Sequence, residues 1–130
     1  MARSVAEKLL IKPDTTVWLS DAGRGGLVEP LPKGARRVEG LGEAAVALIF
    51  ADSAAAVREV LNAHRGQLAA PPVLWVAYPK GGRADVNRDT LWPILAEYGL
   101  RPISQVALDE VWSALRFRPL KEGDTFAGGR

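Results

Sequence analysis

Short apolar runs alternate with polar segments rich in glycine and proline along most of the chain, and each run has the length of a strand. Runs of β-branched and aromatic residues bounded by turn residues are typical of strands. The central runs are apolar at successive positions, as expected for parallel strands that are covered on both faces. The pattern predicts strands at 15–19, 36–39, 45–51, 73–78, 102–108 and 111–118.

Three segments between these strands carry helix signals. Ser4–Glu7 has the spacing of a capping box and predicts a short first helix. A second helix begins at Asp52 or Ser53 and continues with apolar residues three and four positions apart. A third helix opens near Thr90, which places Pro93 in the first turn, where proline is tolerated.

Alternation of strands and helices predicts the fold class. Strand–crossover–strand units produce parallel sheets with helices on both faces. We therefore expect a three-layer α/β/α, Rossmann-like open sheet that is mostly parallel and ends in a C-terminal antiparallel strand pair. The boundaries are residues 1–120 for a single domain and 121–130 for a flexible C-terminal tail.

Composition narrows the functional classes. The 130 residues include 17 basic and 15 acidic side chains, a narrow excess without a basic stripe, so no nucleic-acid partner is expected. The absence of cysteine excludes disulfides, thiol nucleophiles and thiolate metal sites. His64 is the only histidine and lacks an acidic partner at metal spacing, so neither a metal site nor a catalytic residue is predicted. No apolar run is long enough to span a bilayer, and a cytoplasmic location without a membrane partner is expected.

A glycine-rich loop after the first strand is the first candidate site. Asp21, Gly23 and Gly25 form an Asp-x-Gly-x-Gly pattern, and Glu39 lies near the end of the second strand. Glycine lets main-chain N–H groups approach a ligand, and an acid at the second position accepts hydrogen bonds from ribose hydroxyls. These positions resemble the first two motifs of S-adenosylmethionine-dependent methyltransferases, which implies S-adenosylmethionine as a cofactor. The alternative is a turn that needs glycine for its geometry, with Asp21 capping it.

A basic loop after the strand at 73–78 is the second candidate site. Lys80, Gly81, Gly82, Arg83 and Arg88 leave the carboxyl end of a central strand, where ligands bind in open α/β sheets. Two guanidinium groups, an ammonium group and glycine N–H groups together suit a small anionic ligand. The alternative is a solvated connection in which neighbouring aspartates neutralise the arginines.

The terminal strand pair is the third candidate surface. Alternation along 111–118 places Trp112 and two arginines on one face and the core residues on the other. An exposed Trp112 would suit a stacking or subunit contact, and this pair or an edge strand would serve as a homodimer seam. The alternative is that the arginine stems lie along apolar surface with their charged ends in water.

Most of the chain resembles a family of short bacterial proteins known as domain of unknown function 3052. The resemblance extends from Val5 to Pro119 and is most specific at 75–80, 87–93 and 105–118. It implies a trimmed Rossmann-like methyltransferase scaffold in which the strand–helix unit between Gly25 and Ala45 is missing or shortened. It implies no particular activity.

Two functions follow from the sequence. The favoured hypothesis is a non-catalytic α/β module that binds a small anionic ligand or a protein partner through the crevice beyond the strand ends. The alternative is an S-adenosylmethionine-dependent methyltransferase-like enzyme.

Overall fold

The computed structural model describes residues 5–21, 23, 26, 28, 31–64, 67–68, 71, 73–79 and 88–119. The described strands are β1 (Thr16–Leu19), β2 (Arg36–Arg37), β3 (Val46–Phe50), β4 (Val73–Pro79), β5 (Leu100–Ala107) and β6 (Trp112–Pro119). The described helices are α1 (Val5–Lys8), α2 (Ala54–Ala63) and α3 (Arg88–Ala96). Ser4 of the predicted capping box and the predicted tail at 121–130 lie outside the described residues.

The six strands form one mixed sheet in the order β2-β1-β3-β4-β6-β5. β1 pairs in parallel with β2 and β3, and β3 pairs in parallel with β4. β6 lies antiparallel between β4 and β5. The predicted fold class is therefore confirmed, including the terminal antiparallel pair.

The register brings the ends of the parallel strands to one edge of the sheet. Leu19 lies opposite Leu48, and Phe50 lies opposite Ala77. We call the edge where β1, β3 and β4 end the carboxyl edge. The described residues that follow β1 and β3 therefore leave the sheet at the same edge at which β4 ends.

Each face of the sheet carries its own apolar core. Alternate residues of every strand point to opposite faces, so a sheet buried on both sides needs apolar residues at nearly every position. The α2/α3 face contains residues that include Trp18, Ile49, Val57, Leu61, Val76, Leu91, Leu95, Leu115 and Phe117. The α1 face contains residues that include Leu9, Val17, Val28, Leu48, Phe50, Trp75, Leu108 and Trp112.

Trp112 is buried, so the exposed stacking surface that the sequence left open for this residue is not formed. The indole is 8 % exposed and packs edge-to-face against Phe50, with ring centroids 5.7 Å apart. Alternation along β6 correctly placed Trp112 on the opposite face from Leu115 and Phe117, but the sheet is covered by apolar residues on both faces. Trp112 is therefore a packing residue of the α1 face.

Helix α3 begins earlier than predicted. It starts at Arg88, so Pro93 lies inside the helix and not in its first turn. Proline at this position lacks the N–H that would bond to the carbonyl of Asp89. Asp89 in the first turn favours the earlier start because its charge complements the helix dipole.

The crossover from β2 to β3 is short. β2 has two residues instead of the predicted four and is followed by a single 3-10 turn at Leu41–Glu43. Before β2, Gly34 has a φ of +78°, and a side chain at this position would collide with the Asp14 carboxylate. The predicted shortening of the unit between Gly25 and Ala45 agrees with the described part of this segment.

Among the described residues, no helix has both the length and the apolar character needed to cross a membrane. The same residues contain no group of three or more histidine or acidic side chains placed to hold a metal ion.

Candidate functional site at the carboxyl edge

The chain leaves β1 and β3 in opposite directions. From β1 it continues to β2 on one side, and from β3 it continues to β4 on the other side. Such a reversal in strand order opens a crevice beyond the strand ends, and ligands of open α/β sheets bind in it. We call the gap between the ends of β1 and β3 the switch point.

Ser20 joins the two strand ends at the switch point. Its N–H donates to the carbonyl of Leu48 at 3.0 Å, and its Oγ accepts the N–H of Phe50 at 2.8 Å. The Ser20 side chain thus accepts a hydrogen bond from the Phe50 N–H at the end of β3, in place of a main-chain carbonyl of β1. The position of the residue that follows, Asp21, is fixed relative to β3 as a result.

Asp21 forms a tight turn with Gly23. Its Oδ1 accepts the N–H of Gly23 at 3.0 Å, which is the geometry of an Asx turn. The turn-capping alternative is therefore observed for Asp21, and it leaves the exposed carboxylate at the carboxyl edge. Gly25, the third residue of the predicted pattern, lies outside the described residues.

Glu39 also lies at the carboxyl edge. It follows β2 by two residues and has an exposed side chain. Its main-chain carbonyl accepts the indole N–H of Trp18 at 3.2 Å. The structure thus places Asp21, Gly23 and Glu39 at the ends of two adjacent parallel strands, and their role in binding a cofactor stays a prediction.

Asp52 is a further acidic residue at this edge, although the sequence pattern indicated only a helix cap at this position. Ser53 is the cap, because its Oγ accepts the N–H of Ala56 at 3.0 Å. Asp52 follows β3 by two residues and is exposed, on the other side of the switch point from Asp21. Its place immediately after a buried central strand was the signal that could have identified it.

Most of the predicted basic site cannot be placed. Lys80, Gly81, Gly82 and Arg83 lie outside the described residues, as does the side chain of Arg88. The main chain of Arg88 begins α3, and β4 ends with Pro79 at the carboxyl edge. The anion site on this loop therefore stays a prediction.

A shallow depression of about 260 Å³ lies elsewhere, over β5 and β6. It is lined by Pro102, Ile103, Ser104, Gln105 and Leu115. None of these side chains is charged. The strand order places this depression away from the switch point.

An ion pair connects α2 to the turn that follows α3, away from the switch point. The two terminal guanidinium nitrogens of Arg58 on α2 donate to the carboxylate oxygens of Glu97, at 2.8 and 3.1 Å. This hydrogen bonding lowers the pKa of Glu97 and raises the pKa of Arg58. Both groups are solvent-exposed, and the pair lies between α2 and the residue after α3, not at the switch point.

Comparison with known proteins identifies the scaffold. A Streptococcus pneumoniae protein, Sp1610, proposed to be a tRNA (m1A22) methyltransferase, matches with a TM-score of 0.56 and 12 % identity over 96 % of this chain and 73 % of its own. The Bacillus subtilis m1A22 tRNA methyltransferase TrmK matches with a TM-score of 0.53 and 14 % identity, over 96 % of this chain and 70 % of TrmK. LepI in complex with S-adenosylhomocysteine (SAH) and a substrate analogue matches with a TM-score of 0.52 and 13 % identity. This match covers 88 % of the present chain and 39 % of LepI.

The sequence itself matches no family model and no curated protein. Membership of the family named from the sequence is therefore not confirmed, whereas its methyltransferase-type scaffold is supported by the structural likeness. At these identities the likeness establishes the fold alone. The chain has the Rossmann-like α/β fold that is found in these proteins.

Proposed function

We propose that this chain is an S-adenosylmethionine-binding domain of the methyltransferase type. The observation that carries the proposal is the acidic switch point, with Asp21 after β1, Asp52 after β3 and Glu39 on the neighbouring strand end. The neighbours that are named as tRNA methyltransferases, together with LepI, whose structure contains SAH, support it over the non-catalytic module that the sequence favoured.

Charge distinguishes this cofactor from the dinucleotides that bind to similar folds. S-adenosylmethionine has a sulfonium, an ammonium group and ribose hydroxyls, and it has no phosphate. Carboxylates attract the two cationic groups and accept hydrogen bonds from the hydroxyls. The three acidic side chains that follow β1, β2 and β3 would repel a pyrophosphate placed at the switch point, so this part of the edge favours the phosphate-free cofactor.

Each acidic residue has a distinct role in the proposal. Glu39 accepts hydrogen bonds from the ribose hydroxyls, the role of an acid at the end of the second strand. The Asp21–Gly23 turn holds the Asp21 carboxylate at the carboxyl edge, where it faces the ammonium group of the amino-acid part of the cofactor. Asp52 borders the crevice from the β3 side.

Methyl transfer depends strongly on geometry. The acceptor displaces the sulfonium sulfur in line, and correct positioning alone supplies much of the rate enhancement. In this proposal the domain holds the cofactor with its methyl group towards the acceptor. The basic loop with Lys80, Arg83 and Arg88, which follows β4 from the same edge, binds an anionic part of the ligand or acceptor.

Calorimetric titration with S-adenosylmethionine and with SAH tests the proposal. We expect binding to the parent chain, and a loss of about tenfold or more in affinity in Glu39→Gln, because hydrogen bonds to a charged group are strong. Asp21→Asn keeps the turn geometry but removes the charge, and it should also weaken binding.

Glu59→Gln on α2 is the matched control, since it removes an exposed acid away from the switch point and should leave affinity unchanged. No heat from either ligand at about 1 mM would contradict the proposal.

A further inference from the structure

Very little secondary structure holds Glu39 in place. β2 has only two residues, and Glu39 follows it by two positions. The parallel ladder with β1 ends near the N–H of Val38, which donates to the carbonyl of Val17 at 2.8 Å. Beyond this point, the carbonyl of Glu39 is bonded to a side chain, the indole N–H of Trp18, at 3.2 Å. A side-chain hydrogen bond thus continues the connection between β1 and β2 that the main chain has stopped making.

Trp18 is itself rigidly held. It is 7 % exposed within the core of the α2/α3 face. His64 packs against it with ring centroids 4.8 Å apart and an interplanar angle of 65°. His64 in turn lies at the end of α2, with its Nδ1 2.9 Å from the carbonyl of Val60. The Trp18 indole therefore connects the main chain of Glu39 to β1, of which Trp18 is part, and to the end of α2 through its contact with His64.

The energetics favour a fixed carbonyl. A nearly buried indole N–H without an acceptor carries the free-energy cost of an unpaired polar group. Glu39 supplies that acceptor with its main chain and keeps its carboxylate exposed at the carboxyl edge. The same hydrogen bond that satisfies the core thus limits where the carboxylate can lie.

We propose that Trp18 is a positioning residue, whose indole N–H holds the main chain of Glu39 so that its carboxylate meets the ribose hydroxyls of the cofactor. This inference rests on the proposed function. It adds that the recognition of ribose depends on a core residue that does not contact the ligand.

The test compares two tryptophans that make the same kind of bond. Trp18→Phe removes the N–H but retains an aromatic ring against His64. Trp75→Phe is the matched control, because the Trp75 indole donates to the carbonyl of Leu9 at 2.9 Å within the core of the other face. Both variants should lower the melting temperature. Only Trp18→Phe should weaken SAH binding, by about tenfold, under conditions where each variant is folded.

A double-mutant cycle separates positioning from general damage. If Trp18 acts through Glu39, Trp18→Phe should have almost no further effect on SAH affinity in the Glu39→Gln background. Additive losses in the double variant would overturn the inference. Equal losses of affinity in Trp18→Phe and Trp75→Phe would overturn it too.

A second variant guards against misfolding. Replacing Trp18 by 3-benzothienylalanine retains the shape of the indole and exchanges the N–H for sulfur, and it should reproduce the loss of affinity. Full affinity in this folded variant would overturn the inference while leaving the proposed function intact. Absence of SAH binding by the parent chain, in contrast, would overturn the proposed function and the inference together.

Discussion

The two halves of the sheet use their polar residues differently. In the parallel half, β2, β1 and β3 have two, four and five residues, and acidic side chains follow each of them. In the antiparallel half, β5 and β6 have eight residues each and pair along nearly their whole length. The short strands are followed by exposed acidic side chains, whereas the long strands pair with each other through an extended main-chain ladder.

Polar groups of the antiparallel half bind one another. Asp109 accepts the N–H groups of Val111 and Trp112 at 2.8 and 2.7 Å, which shapes the turn between the strands. Gln105 donates to both Tyr78 and Ser113, at 2.8 and 3.1 Å. An acidic residue near a strand end is therefore not sufficient evidence of a site. The exposed carboxylate of Asp52 differs because Ser53 has taken over the capping role.

The largest expected effect comes from emptying the core of the antiparallel half. Phe117 is 1 % exposed, so Phe117→Ala should reduce the free energy of unfolding by about 3–5 kcal/mol, measured by urea denaturation. Under conditions where the variant is folded, its affinity for SAH should equal that of the parent chain. A stability loss below about 1 kcal/mol would contradict the structural role assigned to this half.

Two serines, one in each half of the sheet, provide a comparison with an effect of intermediate size. Ser20→Ala and Ser113→Ala each remove a partly buried hydroxyl that bonds to the main chain, to Phe50 N–H and to the Val106 carbonyl respectively. Each should destabilise the fold by about 1–2 kcal/mol in chemical denaturation. Calorimetry should show weaker SAH binding only for Ser20→Ala, because only that serine lies at the switch point. Similar losses of affinity in both variants would abolish the distinction.

The smallest expected effect is the pH dependence of the helix ion pair. Hydrogen bonding to Arg58 lowers the pKa of Glu97, so the folded state binds the proton less readily than the unfolded state. The stabilisation is therefore fully present above the unfolded pKa of Glu97 and disappears as the pH falls through its folded pKa. The melting temperature of the parent should exceed that of Glu97→Gln at neutral pH and approach it at strongly acidic pH. An unchanged difference across that range would show that the pair does not contribute.

Sequence patterning predicted the strands well because their residues face two cores at once. The run that became β3 is apolar at every position, and all five of its residues are buried. The same patterning could not decide how Trp112 would be covered. β6 lies inside the sheet, between β4 and β5, and the ring of Phe50 on β3 packs edge-to-face against Trp112.

The candidate site was only partly predictable, because its parts depend on contacts distant in sequence. Asp21, Gly23 and Glu39 follow from local pattern. Asp52 required knowing which of two adjacent capping residues is used, and the role of Trp18 required knowing that its indole reaches a carbonyl 21 positions away. Local propensity carries no information about such a side-chain bond.

Amide chemical shifts during a titration with SAH test the central claim most directly. We expect the largest changes at Ser20, Asp21, Gly23, Glu39 and Asp52, together with the indole N–H of Trp18, and small changes along β5 and β6. Saturable binding with this distribution would support a cofactor site at the switch point. Changes centred on the depression lined by Pro102 and Gln105, or no saturable change at any position, would contradict it.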